Sequence, residues 1–224
     1  DVTEGLITRA EAAGYTTLMV TADVPAAGKR DRDIRNQLAV PFKFTLEVML
    51  QCAMNPRWAL TSLNHGTPNV ANYADLLQSA TSYAEVQKTL ITPGFTWEDL
   101  KRLRDRWKGK LLVKGILHTK DAMICAELGC DGIVVSNHGG RQVAFGPPTI
   151  EALPAISKAV ADNMTIILDS GIRRGADMLR AKALGADFAF AGRAFAYGVG
   201  AGGDAGDGVR AGGSGGAGGG GCAA

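Results

Sequence analysis

Residues 131–142 read DGIVVSNHGGRQ, and this stretch decides the fold. Ile133, Val134 and Val135 form a β-branched run too short for a helix, so they predict a buried strand. The strand delivers Ser136, Asn137 and His138 into the pair Gly139-Gly140, with Arg141 just beyond. Adjacent glycines let the backbone turn sharply and approach a ligand, and the loop presents an imidazole close to a guanidinium. A base and a clamp for a carboxylate thus fall within one loop. A histidine capping a strand beside a surface arginine would leave the same letters.

Outward from this loop the same grammar recurs. Leu111–Val113 predicts a strand ending at Lys114-Gly115, Thr165–Leu168 one ending at Asp169-Ser170-Gly171, and Phe188–Ala191 one ending at Gly192-Arg193. Helical patterns over Thr119–Leu128, Thr149–Val160 and Gly175–Leu184 separate them. Alternation with a period of about 20 to 30 residues predicts βα units and a parallel sheet. Every candidate functional residue follows a strand, which is where a (β/α)8 barrel gathers its chemistry, and the loops after the last two barrel strands commonly grip a phosphate. Gly171, Arg173, Gly192 and Arg193 lie in two such loops, where glycines open backbone N–H groups and arginines supply charge. A phosphorylated ligand is expected. To this point an isomerase or aldolase on a phosphate-gripping barrel fits as well as any other enzyme.

Upstream, Asp1–Ala13 predicts a helix closed by Gly14, and Thr16–Val20 a strand whose exit carries Thr21, Asp23 and, later, Arg30. The chain from Gly28 to Gly109 is too long for an ordinary connection and implies an insertion, about residues 37–95. Within it, Leu38–Asn72 is apolar with little charge, and reads either as a surface subdomain or as a patch for a membrane surface or a partner. Trp97–Trp107 is helical again. From Val199 to residue 224 the composition collapses into Gly, Ala, Asp and Ser, so a folded domain is expected over residues 1–198 and beyond it a disordered tail, or a reading frame lost after about Asp207.

The 224 residues are 46% hydrophobic and 21% charged, enough apolar content for one large core. The net charge of +2 arises from interspersed residues rather than a basic block, which argues against nucleic acid as a partner. No apolar stretch approaches the ~18 to 20 residues of a spanning helix, and Asp1–Ala10 has no apolar signal-peptide core. Cys52, Cys125, Cys130 and Cys222 lack paired metal-ligand spacing, so no metal site is expected. Packing roles and a reducing compartment are the reading.

The motifs SNHGGRQ (136–142), LLVKGIL (111–117), DSGIRRGADMLRAKALGAD (169–187) and AGRAFAYG (191–198) resemble the FMN-dependent α-hydroxy-acid dehydrogenase and oxidase family. MVTADVPAAGKRDRDIRN (19–36) is similar to the family's fourth strand and the loop after it. NPRWAL (55–60), HGTPNVANY (65–73) and PGFTWEDLKRLRDRW (93–107) resemble the bacterial, membrane-associated mandelate and L-lactate dehydrogenases within it.

The resemblance implies an α/β fold: a partial TIM (β/α)8 barrel, strands four to eight, with the insertion after the fourth. It implies FMN as cofactor, with Thr21, Lys114, Ser136, Asp169, Gly171, Arg173, Gly192 and Arg193 around it. His138 matches the active-site base, Asp23 its carboxylate partner, Lys114 the cation beside the flavin N1 and C2 carbonyl, Arg141 the clamp on the substrate carboxylate and Arg30 a second arginine near the site. The implied reaction oxidises an L-2-hydroxy acid, lactate- or mandelate-like, to the 2-oxo acid and passes electrons to quinone or another acceptor. A homo-oligomer, and a cytoplasmic location with peripheral contact at the inner face of the plasma membrane, are implied for the complete protein. The family's first three strands and two active-site tyrosines have no counterpart before Asp1, so a C-terminal fragment is expected, inactive alone or with residual flavin binding. Val143-Ala144 departs from the Leu-Asp frequent in relatives at that loop.

Overall fold

Five short strands form one parallel sheet in chain order: β1 (Thr17–Thr21), β2 (Lys110–Lys114), β3 (Gly132–Val135), β4 (Thr165–Leu168) and β5 (Phe188–Ala189). The computed structural model describes residues 2–25, 28, 31, 35, 45–65, 94–143 and 145–200. The register sets Thr21 beside Lys114, Lys114 beside Val134, Val135 beside Leu168 and Leu168 beside Ala189. The carboxyl ends of the strands are therefore level, and the loops leaving them share one edge of the sheet. This is the expected α/β architecture, a partial (β/α)8 barrel. β5 stops at Ala189, two residues short of the expected strand.

Packing follows from the residue pattern. All four residues of β3 are buried, as are Ile166, Ile167 and Leu168 of β4, because strands covered on both faces tolerate no alternation. Helix α1 (Val2–Ala12) precedes β1. Helices α4 (Trp97–Arg106), α5 (Thr119–Glu127), α6 (Thr149–Val160) and α7 (Gly175–Ala183) separate the later strands, and residues 193–200 are helical after β5. α6 buries Leu153, Ile156 and Val160, one helical stripe, each such side chain contributing about 1.5–3 kcal/mol. Trp107 closes the core below α4 with its indole N–H donated to the Lys110 carbonyl at 2.9 Å.

Two aspartates do the same work at the amino ends of strands. The Asp131 carboxylate accepts the Leu111 N–H at 2.9 Å, and that of Asp187 accepts the Ile166 N–H at 2.9 Å. Their own N–H groups donate to Leu111 and Ile166, each at 2.8 Å. Each thereby satisfies both backbone groups of a residue in the preceding strand. Cys125 and Cys130 are buried free thiols joined by a turn in which the Cys130 N–H reaches the Cys125 carbonyl at 3.0 Å. The hydrogen bond to Cys130, with burial, pushes the Cys125 thiol up, so it stays protonated and packs as an apolar group.

The chain divides into two compact units, Asp1–Gly28 with Pro93–Ala224, and Lys29–Thr92. The second begins earlier than the insertion expected from residue 37. Its described residues include two helices, α2 (Leu46–Met54), capped by the Thr45 hydroxyl accepting from the Val48 N–H at 3.3 Å, and α3 (Pro56–His65), begun by a proline in its first turn. Leu46, Met49, Leu50, Met54, Trp58, Leu60 and Leu63 are all exposed there. Of the remaining expectations, Arg30, Ala144 and residues 201–224 lie outside the described residues, whereas residues 199 and 200 continue a helix rather than begin a tail.

Candidate active site

Asp23 reaches the site because β1 stays paired one residue beyond its end, the Ala22 N–H donating to the Lys114 carbonyl at 2.8 Å. Gly115 makes room: a Cβ added there would lie 2.5 Å from the Asp23 Cβ, and its φ of +105° suits glycine alone. Asp23 Oδ1 then lies 3.0 Å from His138 Nδ1, across 115 positions of sequence. The tautomer that suits this contact carries its proton on Nδ1 and leaves Nε2 free to accept.

Lys114 Nζ stands 3.4 Å from His138 Nδ1, 3.5 Å from Asp23 Oδ2 and 3.8 Å from Asp169 Oδ2. Asp23 is 12% exposed and Lys114 17%, so these charges act on one another with little screening. Asp23 Oδ2 is buried without a hydrogen-bond partner, and the Lys114 ammonium is what balances it.

A cavity of about 260 Å³ opens over this cluster. Thr21, Lys114, His138, Arg141 and Asp169 line it, and so do Gly171, Arg173, Gly192 and Arg193. The structure thus gathers nine of the residues singled out from sequence around one space. Asp23 sits behind His138. Ser136 is fully buried and does not line the cavity; its hydroxyl donates to Asp169 Oδ2 at 2.5 Å. Arg193 also holds the loop that carries His138, its guanidinium donating to the Gly139 carbonyl at 2.9 Å.

The residues fit a flavin mononucleotide. A Cβ added at Gly171 or Gly192 would meet nothing within 4 Å, so neither glycine is needed for packing inside the protein. Both line the cavity beside Arg173 and Arg193, leaving a cradle of accessible backbone and positive charge suited to a phosphate.

The residues that sequence reasoning missed are Ser170 and Asn137. Ser170 has a φ of +80° and His138 one of +57°, the only two non-glycine residues with positive φ among those described. Nothing in the letters Asp-Ser-Gly distinguishes a strained serine from a turn residue. Asn137 stands inside the decisive motif, and its Oδ1 accepts from the Gly140 N–H at 3.1 Å.

A profile of the FMN-dependent dehydrogenases matches residues 1–210. The chain belongs to that family. Among relatives, (S)-mandelate dehydrogenase of Pseudomonas putida is 40% identical over 211 residues, 92% of this chain and 52% of its own length. An L-lactate dehydrogenase of Caulobacter vibrioides (strain NA1000 / CB15N) is 42% identical over 205 residues, covering 90% and 53%. The chain spans about half the length of the curated relatives it matches.

Among solved structures, that of the monotopic membrane protein (S)-mandelate dehydrogenase superposes with a TM-score of 0.87 at 38% identity, covering 94% of this chain and 57% of that one. A soluble mutant of the membrane-associated Pseudomonas putida enzyme gives 0.71 at 33% identity, covering 94% and 53%. The membership accounts for the parallel sheet and for the site at the strand carboxyl ends, the face on which barrel enzymes place their chemistry.

Proposed function

We propose that this chain serves the FMN-dependent oxidation of an L-2-hydroxy acid, lactate- or mandelate-like, to the 2-oxo acid, with quinone or another acceptor taking the electrons. The observation that carries the reading is the Asp23–His138 pair, with Lys114 beside it, opening on the cavity that also holds Arg141, Arg173 and Arg193. FMN, when bound, supplies the two-electron acceptor for the α-carbon.

The protein's own groups do the rest. Arg141 holds the substrate carboxylate, His138 takes a proton at Nε2, and Asp23 stabilises the imidazolium that results. Lys114 contributes positive charge beside the base and the cofactor. Arg173 and Arg193, with Gly171 and Gly192, would hold the phosphate. Thr21 and Asp169 on the cavity wall, with Ser136 behind it, would hold the rest of the cofactor. The test is anaerobic mixing of the FMN-loaded protein with L-lactate or (S)-mandelate. Loss of flavin absorbance with formation of the 2-oxo acid is expected, and a flavin left oxidised by both acids sinks the reading.

Contact with a membrane surface is the second part of the proposal. It is supported by the apolar residues that α2 and α3 expose, Leu46, Leu50 and Met54 recurring at helical spacing, and by the greater likeness to the monotopic structure than to the soluble mutant. Among the described residues no helix is long and apolar enough to cross a membrane. Replacing Leu50, Trp58 and Leu63 by serine is expected to lower binding to anionic vesicles severalfold in a flotation assay; unchanged binding assigns these residues to packing within the protein.

A further inference from the structure

The loop that carries His138 is held by hydroxyl groups rather than by neighbouring strands. The His138 N–H donates to Ser136 Oγ at 3.0 Å, while the Gly139 and Asn137 N–H groups donate to Ser170 Oγ at 2.9 and 3.4 Å. Three consecutive backbone donors therefore end on two serine oxygens. Each serine must spend its own proton elsewhere to accept them, and both spend it on the same atom: Ser136 donates to Asp169 Oδ2 at 2.5 Å and Ser170 to Asp169 Oδ2 at 3.3 Å.

A carboxylate oxygen can only accept when ionised, so it fixes the direction of both hydroxyls. Lys114 Nζ stands 3.8 Å from that oxygen. Ser170 holds a left-handed backbone, unusual for a residue with a side chain, and Thr149 anchors it by donating its hydroxyl to the Ser170 carbonyl at 3.3 Å. Strain of this sort persists only where the surroundings over-determine it.

We infer that Ser170, together with Ser136, is a positioning residue for the base. The two hydroxyls, oriented by one oxygen of Asp169, set the left-handed turn at His138 that presents its imidazole to Asp23 and the cavity. The inference rests on the proposed role of His138. It gives Asp169 a second duty beside the cofactor: as a cavity-lining residue anchored to both serines, it links the flavin end of the site to the base loop.

Ser170→Ala, Ser170→Gly and Ser136→Ala test this in the FMN holoenzyme with (S)-mandelate and L-lactate as probes. Both Ser170 variants are expected to lower kcat roughly tenfold, the scale of one lost hydrogen bond in a buried network, with KM and FMN retention within twofold. Glycine relieves the backbone strain and alanine does not, so a glycine variant with wild-type kcat overturns the role of the hydroxyl. Amide exchange by NMR on the full chain reads the network without turnover. Ser170→Ala is expected to expose the amides of Asn137 and Gly139 and spare that of His138, and Ser136→Ala to do the reverse. Retained protection at 137 and 139 in Ser170→Ala overturns the inference. A wild-type holoenzyme inert towards both acids removes the functional reading instead, and the exchange pattern still decides this one.

Discussion

His138 combines three constraints that seldom meet in one residue: a left-handed backbone, a carboxylate on Nδ1 and a lysine within 3.4 Å. Its replacement by glutamine keeps much of the shape and removes the titratable nitrogen. In an FMN-loaded protein His138→Gln is expected to lower turnover by roughly two to four orders of magnitude while flavin stays bound, the usual scale for a positioned general base. Near-normal turnover of the purified variant would take His138 out of the mechanism. The two arginines behind it separate into different duties. Arg173 lines the cavity beside Gly171, so Arg173→Ala is expected to release FMN on gel filtration with little change in KM for the hydroxy acid. Arg193 also grips the Gly139 carbonyl at 2.9 Å, so Arg193→Ala is expected to cost both flavin retention and kcat. Equal effects of the two variants on kcat would deny Arg193 its hold on the loop.

At the scale of elements, local chemistry and tertiary demand divide the work. Helix α4 begins with a capping box, the Thr96 hydroxyl accepting from the Asp99 N–H at 3.3 Å and Asp99 accepting from the Thr96 N–H at 2.8 Å. The Thr96 hydroxyl, then its N–H, then Arg102 hold the Asp99 carboxyl down from 3.8 to about 2. A carboxylate whose folded pKa is depressed stabilises above its ordinary value and loses that contribution as pH falls through the folded one. Thr96→Ala is therefore expected to lower the thermal midpoint more at pH 6 than below about pH 2, where only the hydroxyl's bond from the Asp99 N–H is left to lose; a gap that does not narrow with acid removes the carboxylate's share of the cap from the account. The helix was legible over Trp97–Trp107, and so were β3 and β4, whose unbroken apolar runs rich in β-branched residues admit little else. Helix α2 was readable in principle from Leu46, Leu50 and Met54 at intervals of four, but the dense apolar composition hid the period. The Asp23–His138 contact was not legible from spacing, because register, not sequence distance, brings the two strand ends together; resemblance alone suggested it. Ser170 left no signal, since its strain is imposed by the loop facing it.

At the scale of the molecule the sheet order places β1 and β5 at its two ends, and apolar side chains are exposed at both: Met19 on β1, Phe188 on β5 and Phe190 just after it. Parallel strands ordinarily have both faces covered, and unpaired strand edges recruit other chains. Covering even 200 Å² of apolar surface would contribute about 5 kcal/mol at about 25 cal/mol per Å², comparable with the ~5 to 15 kcal/mol by which a domain is stable at all. The curated relatives are about twice as long as the matched stretch, and the part of Pseudomonas putida mandelate dehydrogenase that this chain does not match supplies the natural test of what covers these ends. Supplied as a separate polypeptide, that part is expected to co-elute with this chain, raise its thermal midpoint by several degrees and increase the FMN retained on gel filtration. The argument for flavin retention is geometric: Thr21 and Lys114 leave one end of the sheet and Gly192 and Arg193 the other, so the spacing between them is set only when both ends are fixed. A chain that holds FMN and melts at the same temperature with or without the added polypeptide would show that the five strands are self-sufficient, and that the exposed residues at β1 and β5 need no partner.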